Sequence, residues 1–197
     1  RANNGEEMAN TTEHQFPNRS INNLNKSVLV VGGAGYIGSH ISKHLIRNGY
    51  TPVIVDRNIK NNPIAKQFND VYEMDLPKDI HLIDNLVKRY NIDSCICTAA
   101  YTSVPESVKE PMMYYQNNVV MTLQLLNKLK SLDVKKFIFS SSAAVYGIIK
   151  NGVCFDDSIG LEPINPYGQT KLAMEKILKE YNTAYGINSI SFRKRIF

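Results

Sequence analysis

Two short stretches carry residue types and spacings that could do chemistry. Residues 31–40 read VGGAGYIGSH. They lie between a β-branched run, Val28 to Val31, and Ile37, Ile41 and Leu45, which recur at helical spacing. A strand that passes into a helix through glycine aims backbone N–H groups and the positive helix end at one place, where an anion is held. Gly33, Gly35 and Gly38 match the spacing of a dinucleotide turn, and Gly32, Gly35 and Gly38 match its variant. The first glycines allow the tight turn, the middle one lets backbone approach a pyrophosphate, and Gly38 lets helix and strand pack closely. Asp56 closes the next apolar run, where a carboxylate can accept the ribose hydroxyls of an adenosine. Its charge repels a 2′-phosphate, so NAD is expected, and Arg57 beside it leaves the phosphorylated cofactor as the alternative.

The second stretch is Tyr167-Gly168-Gln169-Thr170-Lys171. Residues four apart share a helix face. An ammonium there is expected to lower the phenol of Tyr167 toward neutrality and make it a usable base. The spacing alone says little, since Tyr146 and Lys150 repeat it. Tyr146 precedes Gly147 and has no helical continuation, whereas Tyr167 follows Asn165-Pro166 and opens an amphipathic pattern with Leu172, Ile177 and Leu178. Phe137 to Phe139 form an apolar run that ends in Ser140, Ser141 and Ser142. At the carboxyl end of a fifth strand these hydroxyls would face a ligand crevice, with Ser142 placed to hydrogen-bond a substrate hydroxyl beside Tyr167.

Other chemistries find little support. His40 and His44 share a helix face, but no glutamate completes a metalloprotease pattern, and no metal site is expected. Asp156-Asp157 reads as a surface loop, and no Walker pattern occurs. The net charge of +5 and the pI of about 9.0 come from scattered Lys and Arg, so a nucleic-acid partner is not expected. No run of about 18 apolar residues asks for a membrane. The three cysteines, Cys95, Cys97 and Cys154, read as reduced thiols of a cytoplasmic protein.

The elements that must hold these residues follow from periodicity. Residues 1–26 contain seven Asn and little apolar patterning, the composition of a disordered leader. Over 27–197 short apolar runs alternate with amphipathic ones. Strands are expected near 27–32, 51–56, 70–74, 93–98, 135–140 and 188–192, and helices near 36–48, 79–90, 112–131 and 167–185. The third helix is expected to bury Val119, Leu123, Leu126 and Leu129. The fold class is α/β, a doubly wound parallel sheet of order 3-2-1-4-5-6, the Rossmann arrangement.

Taken together, VGGAGYIGSH, TAAYTSVPESVKEPMMYYQNNV, FIFSSSAAVYG and NPYGQTKLAMEKIL resemble, in order and spacing, the extended short-chain dehydrogenase/reductases and, within them, the UDP-glucose 4-epimerase (UDP-galactose 4-epimerase) family. The resemblance runs from about Ser27 to Gly186. It implies a retained NAD, with Tyr36 and Ile37 at its phosphates through their backbone and Asp75 near the adenine. Ala99, Ala100 and Asn117 would line the cofactor, Ser142 and Tyr167 would act at the sugar, and Lys171 would hold the nicotinamide ribose. The implied reaction is a transient oxidation at C4 of a UDP-hexose, with hydride returned to the other face of the 4-keto sugar. Ala143-Ala144 stands where dehydratases of this superfamily carry an acid, which disfavours loss of water. UDP-glucuronate and UDP-N-acetylhexosamine remain alternative substrates.

Two departures accompany the resemblance. Thr102 occupies the place of a lysine near the cofactor in many members. Arg193-Lys194-Arg195-Ile196-Phe197 replaces an Arg-Tyr-Phe-Asn segment, and the UDP-sugar lobe that follows it in the family is absent. A truncated or frameshifted form is expected, with an inactive NAD-binding remnant as the alternative to an epimerase. A homodimer through the helices over 112–131 and 167–185 is expected for the full-length form.

Overall fold

Runs rich in Val, Ile and Phe supply six strands: β1 (Ser27–Val31), β2 (Thr51–Asp56), β3 (Val71–Glu73), β4 (Ser94–Cys97), β5 (Lys136–Ser142) and β6 (Asn188–Lys194). All pair in parallel, in the order β3-β2-β1-β4-β5-β6. The computed structural model describes residues 26–148 and 160–194. The expected leader up to Asn25, Lys150, Cys154 and the pair Asp156-Asp157 lie outside the described residues. The helices are α1 (Tyr36–Arg47), α2 (Leu76–Asp79), α3 (Ile83–Tyr90), α4 (Val104–Lys109), α5 (Pro111–Tyr115), α6 (Met121–Ser131) and α7 (Pro166–Tyr185).

Alternation along each strand sends side chains into two layers. Val28, Val30, Ile54 and Ile96 pack on one face, against Ile41 and Leu45 of α1. Leu29, Val31, Val53, Val55, Phe137 and Phe139 pack on the other, against Ile83 and Leu86 of α3, Leu125 and Leu129 of α6, and Met174 and Leu178 of α7. Coverage of both faces explains why β1 is buried throughout and why its sequence is continuously apolar rather than alternating. Cys95 and Cys97 are free, buried thiols in β4. No helix among the described residues is long and apolar enough to cross a membrane.

The helix expected over 112–131 is three pieces. A π turn, Gln116–Val120, separates α5 from α6. The extra residue per turn shifts the helical phase of α5 against α6, and within α6 the expected buried face is corrected at Leu123. Met121, Leu125, Leu126 and Leu129 are buried, while Leu123 is half-buried and Val119 packs at the margin of the core. Helix α4 was not expected. Ser103 caps it by accepting the Glu106 amide at 3.4 Å, and Pro105 sits in its first turn. Strand β5 runs two residues past its expected end because Ser141 and Ser142 pair with Arg193 and Lys194 of β6.

Candidate functional site

The carboxyl ends of β1, β2, β4 and β5 open onto one trough with two lobes, of about 220 and 540 Å³. Gly32, Gly35, Thr98 and Ala100 line both lobes and mark the junction. The junction is built from backbone. Gly32 has φ +78°, and a Cβ on Gly38 would lie 2.3 Å from the Gly32 carbonyl oxygen, so neither position accommodates a side chain without movement. Thr98 Oγ1 donates to the Val31 and Gly32 carbonyls, each at 3.0 Å, and so clamps β4 to the turn. The first intrahelical bond of α1 runs from the Ser39 amide to the Gly35 carbonyl at 2.9 Å. The amides of Tyr36, Ile37 and Gly38 precede it and open toward the larger lobe, which these residues line. Tyr36 is 70% exposed, and its ring lies against His40, with centroids 4.7 Å apart. His40 and His44 are exposed on the outer face of α1.

The smaller lobe is the β2 side. Asp56 accepts the Ala34 amide at 3.1 Å and the Asn58 amide at 3.2 Å, which ties the end of β2 to the glycine turn. Asp56, Asp75, Ala99, Ala100 and Asn117 all line this lobe, so five of the residues anticipated at the cofactor meet in one cavity. Asp75 pairs with Lys78 at 3.1 Å at the start of α2. Arg57 also lines this lobe, and Tyr101 engages its guanidinium: Nη1 donates to the Tyr101 hydroxyl at 2.8 Å and the group lies 4.6 Å from the ring centroid.

The larger lobe gathers Ser142, Tyr167, Lys171, Thr102 and Lys194. The local sequence explains the placement of Tyr167. Asn165 accepts the Gly168 amide at 2.8 Å and caps α7, and Pro166 supplies its first turn. A Cβ at position 168 would come 2.7 Å from the Ala144 carbonyl oxygen, so glycine there lets α7 press against the turn that follows β5. Tyr167 thereby reaches Ser142, which hydrogen-bonds to it. Lys171 is 2% exposed; its Nζ donates to the Ser140 carbonyl at 2.8 Å and lies 4.7 Å from the Phe139 ring centroid and 5.9 Å from that of Tyr167. Tyr146, the competing tyrosine, is buried and accepts from Arg193 Nη1 at 2.9 Å.

The electrostatics correct one expectation. Burial raises the Tyr167 phenol above its ordinary range, opposed by the hydrogen bond from Ser142, and Lys171 is not among the causes. The lysine instead suffers its own desolvation, which brings it down to about 8, and the neighbouring Lys194 adds to the fall.

Sequence reasoning missed the groups that hold this site together. Buried Asn118 accepts the Tyr101 amide at 2.8 Å and donates to the Tyr101 carbonyl at 3.0 Å and to Thr170 Oγ1 at 3.2 Å. One amide thus joins the loop after β4, the π turn and α7. Glu175 of α7 accepts from Ser141 Oγ at 2.5 Å and pairs with Arg193 of β6 through Nε and Nη2, the latter at 2.8 Å. An Asn pair in a helical region, and a glutamate four residues beyond Lys171, were the available signals.

A sheet of this order with a phosphate-type turn at β1 and a Ser, Tyr and Lys set at β5 and α7 defines a nucleotide-dependent, oxidoreductase-like class. Residues 28–194 match the model of the NAD dependent epimerase/dehydratase family, and the chain belongs to that family. A UDP-glucose 4-epimerase of Lactobacillus helveticus is 42% identical over 171 residues, 84% of this chain and 50% of that protein. The crystal structure of UDP-glucose 4-epimerase from Brucella ovis in complex with NAD superposes with a TM-score of 0.79 at 39% identity, covering 85% of this chain and 51% of that one. The enzyme from Bifidobacterium longum in complex with NAD+ and UDP gives 0.77 at 35%, covering 85% and 52%. The chain spans about half the length of the relatives it matches.

Proposed function

We propose that this chain is the NAD-binding, proton-transferring half of a UDP-glucose 4-epimerase. The observation that carries the reading is the convergence of Ser142, Tyr167 and Lys171 on the trough that begins at the glycine turn. The cofactor fits the residues present: a Cβ at Gly38 would fill the turn, and the Asp56 carboxylate at the end of β2 favours NAD over its 2′-phosphorylated form, while Arg57 in the same lobe is engaged by Tyr101. When bound, NAD supplies a two-way hydride carrier. Tyr167 takes the proton from the sugar's 4-hydroxyl and returns it after the 4-keto sugar has turned over in the cleft. Ser142 orients that oxygen and stabilises the phenolate by hydrogen bonding. Lys171 holds the nicotinamide ribose. Ala99, Ala100, Asn117 and Asp75 line the adenosine side, and Tyr36 and Ile37 meet the diphosphate through their amides. The UDP-hexose is UDP-glucose or UDP-galactose by analogy with the relatives' names, in the cytoplasm, and the full-length form is a homodimer through the helical segments over 112–131 (α5 to α6) and 167–185 (α7).

The test is conversion of UDP-galactose to UDP-glucose by the 197-residue chain with added NAD. Tyr167→Phe is expected to lower the rate by roughly 10²–10⁴-fold with NAD affinity unchanged. Conversion that survives the substitution removes Tyr167 from its role. NAD binding without conversion by the wild-type chain leaves a cofactor-holding module and overturns catalysis as its activity. Faster turnover of UDP-glucuronate or a UDP-N-acetylhexosamine reassigns the sugar, and a single monomeric species on gel filtration at high concentration counts against the dimer in this chain.

A further inference from the structure

Lys194 has no place in the chemistry above, yet it stands inside the larger lobe. The β5–β6 register sets it opposite Ser142, and register partners in a parallel pair face the same side of the sheet. Its Nζ is shielded from solvent and has no hydrogen-bond partner among the described residues. Lys171, in the same lobe, is by contrast bonded to the Ser140 carbonyl. An ammonium withdrawn from water without a partner is costly, and a second ammonium beside it adds repulsion. No carboxylate lines the lobe among the described residues, while the first amides of α1 face into it. Among the described residues every fixed charge and helix dipole in the lobe is therefore of one sign, an arrangement that suits an anionic ligand.

We infer that Lys194 is the cationic contact for a diphosphate group bound in this cleft, opposite the α1 amides. The identity of the ligand rests on the proposed function, in which the cofactor and the nucleotide sugar each carry one diphosphate. Burial depresses the Lys194 ammonium, and Lys194 in turn depresses Lys171. A bound dianion relieves both, because an opposite charge favours the protonated form.

Calorimetric titration of the 197-residue chain, its Lys194→Met variant and its Lys194→Arg variant with NAD, UDP-glucose, inorganic pyrophosphate and adenosine tests the inference. Lys194→Met is expected to weaken at least one of the two diphosphate-bearing nucleotide ligands, NAD or UDP-glucose, by about tenfold or more, the size of a charge-assisted hydrogen bond. Lys194→Arg should restore most of the affinity, and adenosine, which has no phosphate, should respond equally to all three proteins. The melting temperature without ligand, unchanged or raised in the Met variant, shows that folding is not what was lost. A loss confined to NAD assigns the cofactor's diphosphate, and a loss confined to UDP-glucose assigns that of the sugar nucleotide. Wild-type and Met proteins that bind NAD and UDP-glucose equally well overturn the inference and leave the proposed function standing. Pyrophosphate binding that depends on Lys194, in a wild-type chain that binds neither NAD nor UDP-glucose, keeps the anion contact and sinks the proposed function. A wild-type chain that binds none of the four sinks both.

Discussion

The two ends of the trough are held by different means. Around β1 and α1 the geometry is made by backbone: a left-handed glycine, helix amides before their first intrahelical bond, and a carboxylate that accepts two main-chain amides. Around β5, α7 and β6 it is made by side chains, with Asn118, Glu175, Arg193 and Ser141 bridging elements far apart in sequence. A backbone site tolerates almost no added atom but needs few particular side chains. A side-chain site has room, yet depends on each member of its network.

The largest contrast should come from Gly38→Ala. Its methyl would sit 2.3 Å from the Gly32 carbonyl, so the turn must open. Loss of measurable NAD binding is expected with a drop of about 3 kcal/mol or more in unfolding free energy by urea titration. A variant that binds NAD normally would show that the turn is softer than its geometry implies.

At the other end, Glu175→Gln leaves the Arg193 guanidinium half-paired in a site where the carboxylate is only 9% exposed. A destabilisation of about 2–4 kcal/mol is expected, discounted from a fully buried pair because Arg193 is partly solvated. Activity should fall with it, through displacement of β6 and Ser141. Unchanged stability would mean that the network is ornamental and the contrast false.

Lys171 offers a test by pH. Its ammonium lies at about 8 in the folded protein against 10.5 as a free side chain. Below about 8 both states hold the proton and the folded state bears the full burial penalty. Between about 8 and 10.5 the unfolded state binds more protons, so stability rises with pH, and above that range the contribution is complete. Relative to Lys171→Met, the wild-type chain should therefore gain up to about 3 kcal/mol between pH 7 and 10.5. A flat difference across urea melts at these pH values would show that the lysine is better solvated than its position suggests.

The smallest effect is expected at Asp56→Asn. The amide oxygen can keep one main-chain bond, so the turn survives. NAD affinity should weaken about tenfold, with less discrimination against NADP, since a charged acceptor for ribose hydroxyls is replaced by a neutral one. An affinity loss as complete as that of Gly38→Ala would erase the distinction between the two kinds of positions.

The same contrast decides what could be read from the amino-acid sequence. The six strands and their order were legible because a strand covered on both faces must be apolar throughout, as Val28 to Val31 are. The glycine turn, Asp56 and the cap formed by Asn165 and Pro166 were legible because each follows from local backbone needs. Asn118 and Glu175 were not, because their partners lie 52 and 18 residues away, and an Asn pair or a glutamate on a helix signals a polar position without naming the partner. The expected role of Leu123 failed for another reason: α6 carries several closely spaced leucines, and apolar spacing alone does not tell that Leu125 rather than Leu123 turns inward with Leu126 and Leu129.

The π turn before α6 has a consequence for how this protein can vary. Asn117 lines the smaller lobe while Asn118, its immediate neighbour, is buried against Tyr101 and Thr170. Both assignments rely on the surplus residue in 116–120. Removing any one residue there would restore ordinary winding and swing everything on its amino-terminal side by about 100° relative to α6. Within these five positions, then, chain length is a stricter inheritance than composition, and a single-codon deletion would do more harm than most replacements.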